Sequence, residues 1–318
     1  MVTPDALRIV YFGTPEFAVP TLRELVASRH EVVALVSQPD RPKGRGQHLQ
    51  ATPTRRLAES RGVPVLQPLR LKDETFLQAI RDLRPDLGVV AAYGRILPDA
   101  LLQIPRLGMI NVHASLLPAY RGAAPVHRAV IAGDSETGVS IMRVVKELDA
   151  GPVFATVRTP IDDDATSVDV ESRLAALGAT LLVDVVDHVA AGRAVEIPQD
   201  HARATHAPKI TREEGRIDWS LPAAAIHNLV RGLQPWPMAS VWIGGLRHLV
   251  HKTRVSSEPV GGTAGTIVEA VRGRLAVAAG DRSSVEILAV QPEGRRVMTA
   301  SEFLASRRID VGSPVTPP

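Results

Sequence analysis

Gly108-Met109-Ile110-Asn111-Val112-His113-Ala114-Ser115-Leu116-Leu117-Pro118-Ala119-Tyr120-Arg121-Gly122 is the stretch from which the fold is read. Met109 to His113 has the apolar character of a buried strand. Two polar side chains interrupt it, two residues apart. The two-residue period of a strand places Asn111 and His113 on one face. Ser115-Leu116-Leu117-Pro118 then leaves the strand as a loop, because proline cannot donate to a ladder. An amide donor, a titratable imidazole and a loop at one strand end form a candidate site in an open α/β sheet. A capped strand with a hydrogen-bonded structural histidine gives the same local pattern, so the rest of the chain has to decide.

Upstream, Leu7 to Phe12 reads as a buried strand turned by Gly13-Thr14-Pro15. A helix is expected from Glu16 to Ser28, with Pro20 breaking its pattern, and a second strand from Val32 to Val36. This β-α-β opening predicts a mostly parallel, Rossmann-like sheet. Its first turn carries one glycine where a dinucleotide site needs G-x-G-x-x-G, which argues against a nicotinamide or flavin dinucleotide. Gln38 to His48 follows. From Arg41 to Arg56 there are five basic residues (Arg41, Lys43, Arg45, Arg55, Arg56) and no acid. Two prolines and two glycines predict an irregular, mobile loop there. Its basic side chains could grip phosphates or simply be solvated.

The sheet is expected to continue through a helix from Ala58 to Gly62, a strand at Val63 to Val65, a helix from Thr75 to Leu83 and an apolar strand from Leu87 to Tyr93. The strand at Met109 comes next, then one from Gly138 to Val144, with Asp149 in the loop after it. Gly94-Arg95, Asn111 with His113, and Asp149 are thus the polar groups expected near strand ends. A helix from about Val168 to Ala191 closes this domain. Asp162, Asp163 and Asp164 precede it and suit a helix N-terminus, so they receive no catalytic role. Pro198 to Arg216 lacks an apolar period and reads as a linker. Beyond it come a helix from about Ala223 to Leu233 and five short strands with glycine turns. These predict a small, OB-like β-barrel whose loops carry Arg247, Lys252, Arg254, Arg272 and Arg274. The expected division is a catalytic domain over 1–197, a linker over 198–216 and a C-terminal barrel over 217–318.

With 318 residues the chain has room for two cores, and 45% apolar with 22% charged residues is ordinary for a globular protein. There is no cysteine, which removes disulfides, thiolate nucleophiles and cysteine-ligated zinc together. The ten histidines show no metal-ligand spacing, so no metal is expected. His127, His188 and His201 read as surface or core residues. No apolar run reaches membrane-spanning length and the N-terminus lacks the pattern of a signal peptide, so a cytoplasmic monomer away from membranes is expected. Residues 1–207 hold 23 Lys+Arg against 24 Asp+Glu, whereas 208–318 hold 14 against 10. The positive excess therefore sits in the C-terminal third, which suits a polyanionic partner.

An amide, an imidazole and a carboxylate can run acyl transfer without a covalent enzyme intermediate. Asn111 can donate to the oxygen that becomes negative in a tetrahedral intermediate. His113 can handle a proton near neutral pH. Asp149 can orient the imidazole or take the proton of an attacking amine. Ser115 lacks the G-x-S-x-G surroundings of a nucleophile.

Asn111-Val112-His113, Ser115-Leu116-Leu117-Pro118, Tyr120-Arg121-Gly122 and Leu148-Asp149-Ala150-Gly151 together resemble the folate-dependent formyltransferases. Phe12-Gly13-Thr14-Pro15-Glu16-Phe17, the basic loop, Tyr93-Gly94 with Leu97-Pro98, Arg216-Ile217-Asp218-Trp219 and Pro235-Trp236-Pro237 are similar to the tRNA-acting branch of that family. The resemblance runs from Arg8 to about Arg308. Ala114 departs from it, standing where many members carry glycine. The resemblance implies an enzyme of translation initiation. Its formyl donor would be N10-formyltetrahydrofolate and its acceptor the α-amine of initiator methionyl-tRNA. By the same resemblance Asn111, His113 and Asp149 are catalytic, and Ser115, Leu116, Leu117 and Pro118 lie against the folate. Arg41, Lys43, Arg45 and Lys209 contact tRNA, Phe17 meets the methionine side chain, and the barrel binds the tRNA body. Two rivals are a formyltransferase acting on a small amine, which has no need of a basic loop and barrel, and a non-catalytic RNA-binding protein, which has no need of His113 or Asp149.

Overall fold

The computed structural model describes residues 6–43, 48–256 and 258–316. The chain divides into two compact units, one of residues 1–125, 136–159 and 171–207, the other of residues 126–135, 160–170 and 208–318.

The first unit contains strands β1 (Arg8–Gly13), β2 (Glu31–Val36), β3 (Arg41–Lys43), β4 (His48–Gln50), β5 (Val65–Leu66), β6 (Leu87–Ala91), β7 (Met109–His113), β8 (Arg121–Gly122), β9 (Glu136–Arg143), β10 (Val153–Pro160) and β11 (His206–Ala207). Seven of them form one sheet in the order β10-β9-β7-β6-β1-β2-β5. From β7 to β5 all pairs are parallel, while β9 pairs antiparallel with β7. The chain starts in the middle at β1, builds outward to β5, and then restarts at β6 on the other side of β1. That reversal is where open α/β sheets place their ligand crevice. β1 and β2 are almost wholly buried, as their continuous apolar runs require of strands covered on both faces.

Helices α1 (Ala18–Ala27), α2 (Pro53–Ser60), α3 (Glu74–Asp82) and α4 (Asp99–Leu102) follow the strands of the parallel part. Pro20 does not break α1, because it falls in the first turn, where a backbone N–H has no partner to lose. Asp73 caps α3 by accepting from the Thr75 N–H, and Thr52 caps α2 by accepting from Arg55. Three carboxyl ends of the sheet are tied together. The Thr14 hydroxyl and the Gln38 amide both donate to the Tyr93 carbonyl, at 3.5 and 2.7 Å. Below them Phe12 and Tyr93 pack edge to face with ring centroids 5.6 Å apart.

Several expectations need correction. Arg41 to Lys43 is not irregular: β3 pairs with β4 as a two-stranded ribbon, with Pro42 opposite Leu49. Proline is tolerated there because a two-stranded ribbon leaves one side of each strand unpaired. The second basic helix starts at Pro53 rather than Ala58. β10 and helix α5 (Pro125–Ala132) were not expected at all. The closing helix, α6 (Ser167–Ala190), falls within one residue of its expected bounds.

The second unit carries α5, helix α7 (Ala223–Gly232) and strands β12 (Ala239–Ile243), β13 (Leu246–Ser256), β14 (Ile267–Val271), β15 (Arg274–Ala278), β16 (Ser284–Pro292) and β17 (Met298–Thr299), then helix α8 (Ala300–Ala305). The strands run antiparallel in the order β12-β13-β16-β15-β14, with β17 on β16. The C-terminal segment reaches both outer strands. Trp242 N–H donates to the Val315 carbonyl at 3.0 Å, and Ile267 N–H to the Ser313 carbonyl at 2.9 Å. Val315 is buried in a core with Trp219, Ile226, Leu275 and Phe303. This closure gives the barrel that the strand pattern predicts. Arg247, Lys252 and Arg254 lie on β13 and Arg274 opens β15, so of the five expected loop cations only Arg272 sits in a turn.

His30, His127 and His248 titrate below the ordinary histidine value of 6.5, in each case chiefly because burial disfavours the charged ring. His30 stays neutral with both nitrogens used: Nδ1 accepts from the Leu7 N–H, and Nε2 lies 3.0 Å from Asp187. On unfolding each ring regains its ordinary affinity for a proton. Their contribution to stability is therefore full above 6.5 and is lost as pH falls below it. The melting temperature should fall between about pH 7.5 and pH 5.5. A flat profile over that window would show that these rings do not couple to folding.

Candidate active site

His113 ends β7, and its side chain is almost fully buried. Its Nε2 lies 3.0 Å from the Tyr120 carbonyl. A carbonyl only accepts, so Nε2 carries a proton. Nδ1 then faces Asp149, 3.7 Å from Oδ2. That separation is longer than a hydrogen bond. The other contact of the Asp149 carboxylate is the Gly122 N–H, which donates to Oδ2 at 2.9 Å. Asn111, two residues before His113 on β7, is half-buried, and its carboxamide makes no hydrogen bond to a described residue.

The Asp149 backbone is unusual. Its φ is +48°, in the left-handed region, which is uncommon for non-glycine residues though Asp enters it more often than most. Such a conformation costs on the order of 1–3 kcal/mol and persists only where the surroundings enforce it. Asp149 follows β9, the strand that runs against its neighbour β7, so its loop has to turn back to reach His113.

The loop after β7 is held by β9. Ser140, directly opposite His113 in the ladder, donates its hydroxyl to the Ser115 carbonyl at 2.7 Å and accepts from the Leu117 N–H at 3.1 Å. The Ser115 hydroxyl donates to the Ala119 carbonyl at 2.6 Å, so it is engaged structurally, in keeping with the absence of a nucleophile motif. Leu116 packs where β9 carries Gly138, and a Cβ on that glycine would overlap both Leu116 and the Val157 carbonyl. Ser115 is buried, whereas Leu116, Leu117 and Pro118 are half-buried.

The remaining expected residues are dispersed. Arg41 is exposed and donates to Gln38 Oε1 at 3.1 Å. Lys43 lies on β3 opposite His48, and Arg45 lies outside the described residues. Lys209 is exposed in the second unit. Phe17 is buried at the start of α1, leaving little of its ring open. Arg95 is not drawn to the acid–base pair: it donates to the Pro68 and Leu69 carbonyls at 3.2 and 3.0 Å. No cluster of potential metal ligands occurs among the described residues, and no described helix is long and apolar enough to cross a membrane.

Sequence reasoning missed Ser140 and Gln199, and it assigned no role to Arg121. Ser140 carries a weak signal, a hydroxyl inside a buried apolar strand. Gln199 carries none, because it lies in a polar stretch without a period.

Residues 7–186 match the formyl transferase family, and residues 209–308 match the formyl transferase C-terminal domain. The chain belongs to the formyl transferase family. A family member from Moorella thermoacetica, named methionyl-tRNA formyltransferase, is 46% identical over 298 residues that cover 94% of this chain and 96% of the relative. A protein of the same name from Halalkalibacterium halodurans is 43% identical over 310 residues, covering 96% and 98%. Among solved structures, the N-formyltransferase from Helicobacter canadensis, in complex with folinic acid and dTDP-3-aminofucose, is similar with a TM-score of 0.69 at 15% identity. It covers 90% of this chain and 99% of its own. At that identity the formyl transferase likeness speaks to the fold alone.

Proposed function

We propose that the chain transfers the formyl group of N10-formyltetrahydrofolate to the α-amino group of initiator methionyl-tRNA, releasing tetrahydrofolate and formylmethionyl-tRNA. The observation that carries this reading is the extent of the likeness: proteins named for that activity match both units, over 94–96% of the chain. The N-formyltransferase in complex with dTDP-3-aminofucose shares the fold over 90% of the chain but only 15% of its residues, whereas the proteins named for methionyl-tRNA are 43–46% identical. We take the acting form to be a monomer in the cytoplasm, where initiator tRNA is charged and used.

The side chains suit such a donor. The folate supplies a formyl group on nitrogen, activated for attack by an amine. Asn111, with its carboxamide making no hydrogen bond to a described residue, donates to the formyl oxygen as charge develops there. The bond from the amine nitrogen to the formyl carbon forms, and the bond from that carbon to N10 breaks. The amine loses one proton and N10 gains one. His113 and Asp149 handle that proton as a pair. With Nε2–H held by Tyr120, the Nδ1 lone pair and the Asp149 carboxylate face each other across 3.7 Å. A proton taken from the amine is shared between them before it passes to the leaving nitrogen. The Ser115–Pro118 turn, braced by Ser140, offers main-chain groups and apolar side chains to the folate ring system. Tests of this reading begin with formyl-labelled folate and charged initiator tRNA. Label should appear on the methionine nitrogen. Label found instead on a glycinamide ribonucleotide or an amino-sugar nucleotide would replace this assignment.

In this reading Arg41, Lys43, Arg45 and Lys209 meet tRNA phosphates, the barrel takes the tRNA body and Phe17 lies near the methionine side chain. Each phosphate contact releases roughly one counterion. Arg41→Ala, Arg45→Ala and Lys209→Ala should each raise KM for charged tRNA and reduce the slope of log(kcat/KM) against log salt by about one. The folate dissociation constant should not move. Steady-state formylation across a salt series checks this, and unchanged slopes would remove these residues from the tRNA interface.

A further inference from the structure

Gln199 lies fifty residues beyond Asp149 in sequence, in the stretch that reads as a linker, yet its side chain touches the catalytic loop. Its Nε2 donates to the Asp149 carbonyl at 2.9 Å and to the Gly151 carbonyl at 2.7 Å. Its Oε1 accepts two hydrogen bonds from the Arg121 guanidinium, from Nε at 3.1 Å and from NH2 at 2.6 Å. Two acceptors on one side and a cation on the other leave a single orientation for the amide. Both side chains are more than nine-tenths buried, with 8% of Gln199 and 7% of Arg121 exposed. Losing either partner would strand polar groups away from water.

The contacts close a ring. Arg121 is followed by Gly122, whose N–H donates to the Asp149 carboxylate. Asp149 is therefore gripped twice, at its carboxylate by Gly122 and at its carbonyl by Gln199, and Arg121 belongs to both grips. Gly122 cannot drift from this position. β8 pairs with β11, and a Cβ at Gly122 would lie 2.7 Å from the Ala207 carbonyl oxygen. The backbone that this ring holds is the one at φ +48°. Asp enters the left-handed region more readily than most side chains, and the ring supplies the contacts that hold it there.

We propose that Gln199, locked by Arg121, is a positioning residue for formyl transfer: it holds Asp149 in its strained conformation and so aims the carboxylate at His113. This rests on the formyl-transfer reading. It assigns Gln199 an effect on the chemical step and none on tRNA binding.

The test is a double-mutant cycle of Gln199→Leu and Asp149→Asn, with kcat and KM measured for formyl donor and charged tRNA. Gln199→Glu is run beside it, since it keeps the side-chain volume and the acceptor for Arg121 while removing the donor to the two carbonyls. Circular dichroism identifies the folded variants to be used. Gln199→Leu and Gln199→Glu should each lower kcat by about ten- to a hundredfold, with KM for tRNA within about threefold of wild type. In the Asp149→Asn background the same substitutions should lower kcat by less than about threefold, because their effect passes through that carboxylate. Near wild-type kcat in a folded Gln199 variant would overturn the proposal. So would an undiminished loss in the Asp149→Asn background, which would make the role merely structural. An inactive wild-type protein would instead overturn the formyl-transfer reading, so the two failures are distinguishable.

Discussion

Asn111→Ala should lower kcat for formyl transfer by about 10²–10³-fold while leaving folate binding nearly intact, the loss expected when one preorganised donor to a developing oxyanion is removed. The corresponding change in transition-state stabilisation is about 3–4 kcal/mol. The structure gives two reasons for so large an effect. The carboxamide sits on β7, a strand paired on both sides by β6 and β9, so its position does not relax on truncation. It also makes no hydrogen bond to a described residue, so among those residues nothing competes with the substrate for it. His113→Ala should cost at least about a hundredfold in kcat for the complementary reason that proton transfer loses its acceptor. Single-turnover rates with saturating formyl donor and charged tRNA, alongside equilibrium folate binding, separate chemistry from affinity. Near wild-type turnover by folded His113→Ala would end the assignment of the acid–base pair.

Gly151→Ala should damage both fold and chemistry. Its backbone lies so close to the Arg143 carbonyl oxygen that an added Cβ would overlap it. The obstacle is main chain at the end of β9, which cannot swing aside as a flexible side chain would. Overpacking of this kind costs on the order of 1–3 kcal/mol, which lowers the melting temperature by several degrees in a unit of this size. The displaced segment includes Asp149, two residues earlier, and the Gly151 carbonyl that accepts from Gln199. A loss of about tenfold or more in kcat should accompany the stability change. Gly261→Ala is the control, because nothing lies within 4 Å of a Cβ there. If the two variants melted and turned over alike, the tight approach at Gly151 would have no energetic consequence.

The parts of the fold that were legible in the sequence are those whose residues carry their own signal. β1, β2 and β6 carry continuous apolar runs because both of their faces are covered, and β7 is apolar apart from Asn111 and His113. α6 is legible through 24 residues of helical spacing. β10 was missed because it is the edge strand of its sheet: most of its side chains stay partly or fully exposed, so Val153 to Pro160 shows no buried run. α5 was missed because eight residues beginning with proline give barely two turns of period. At the site, Asn111 and His113 are legible from their spacing on one strand. Gln199 is not, because its role consists of hydrogen bonds to main-chain carbonyls 48 and 50 residues away and to a guanidinium 78 residues away. Nothing local distinguishes it from a solvated glutamine. Likewise the antiparallel direction of β9 is set by its pairing with β7, and its composition is equally compatible with either direction.

The residues Ser313 to Val315 close the barrel by bonding to β12 on one side and β14 on the other. Removing them would leave two open β edges with unpaired N–H and C=O groups, beside the apolar socket vacated by Val315. Open edges of that kind recruit strands from other molecules. The segment around Pro314 thus acts as a guard against self-association. Shortening it would be expected to cost solubility before it cost catalytic chemistry, since Asn111, His113 and Asp149 all belong to the other unit.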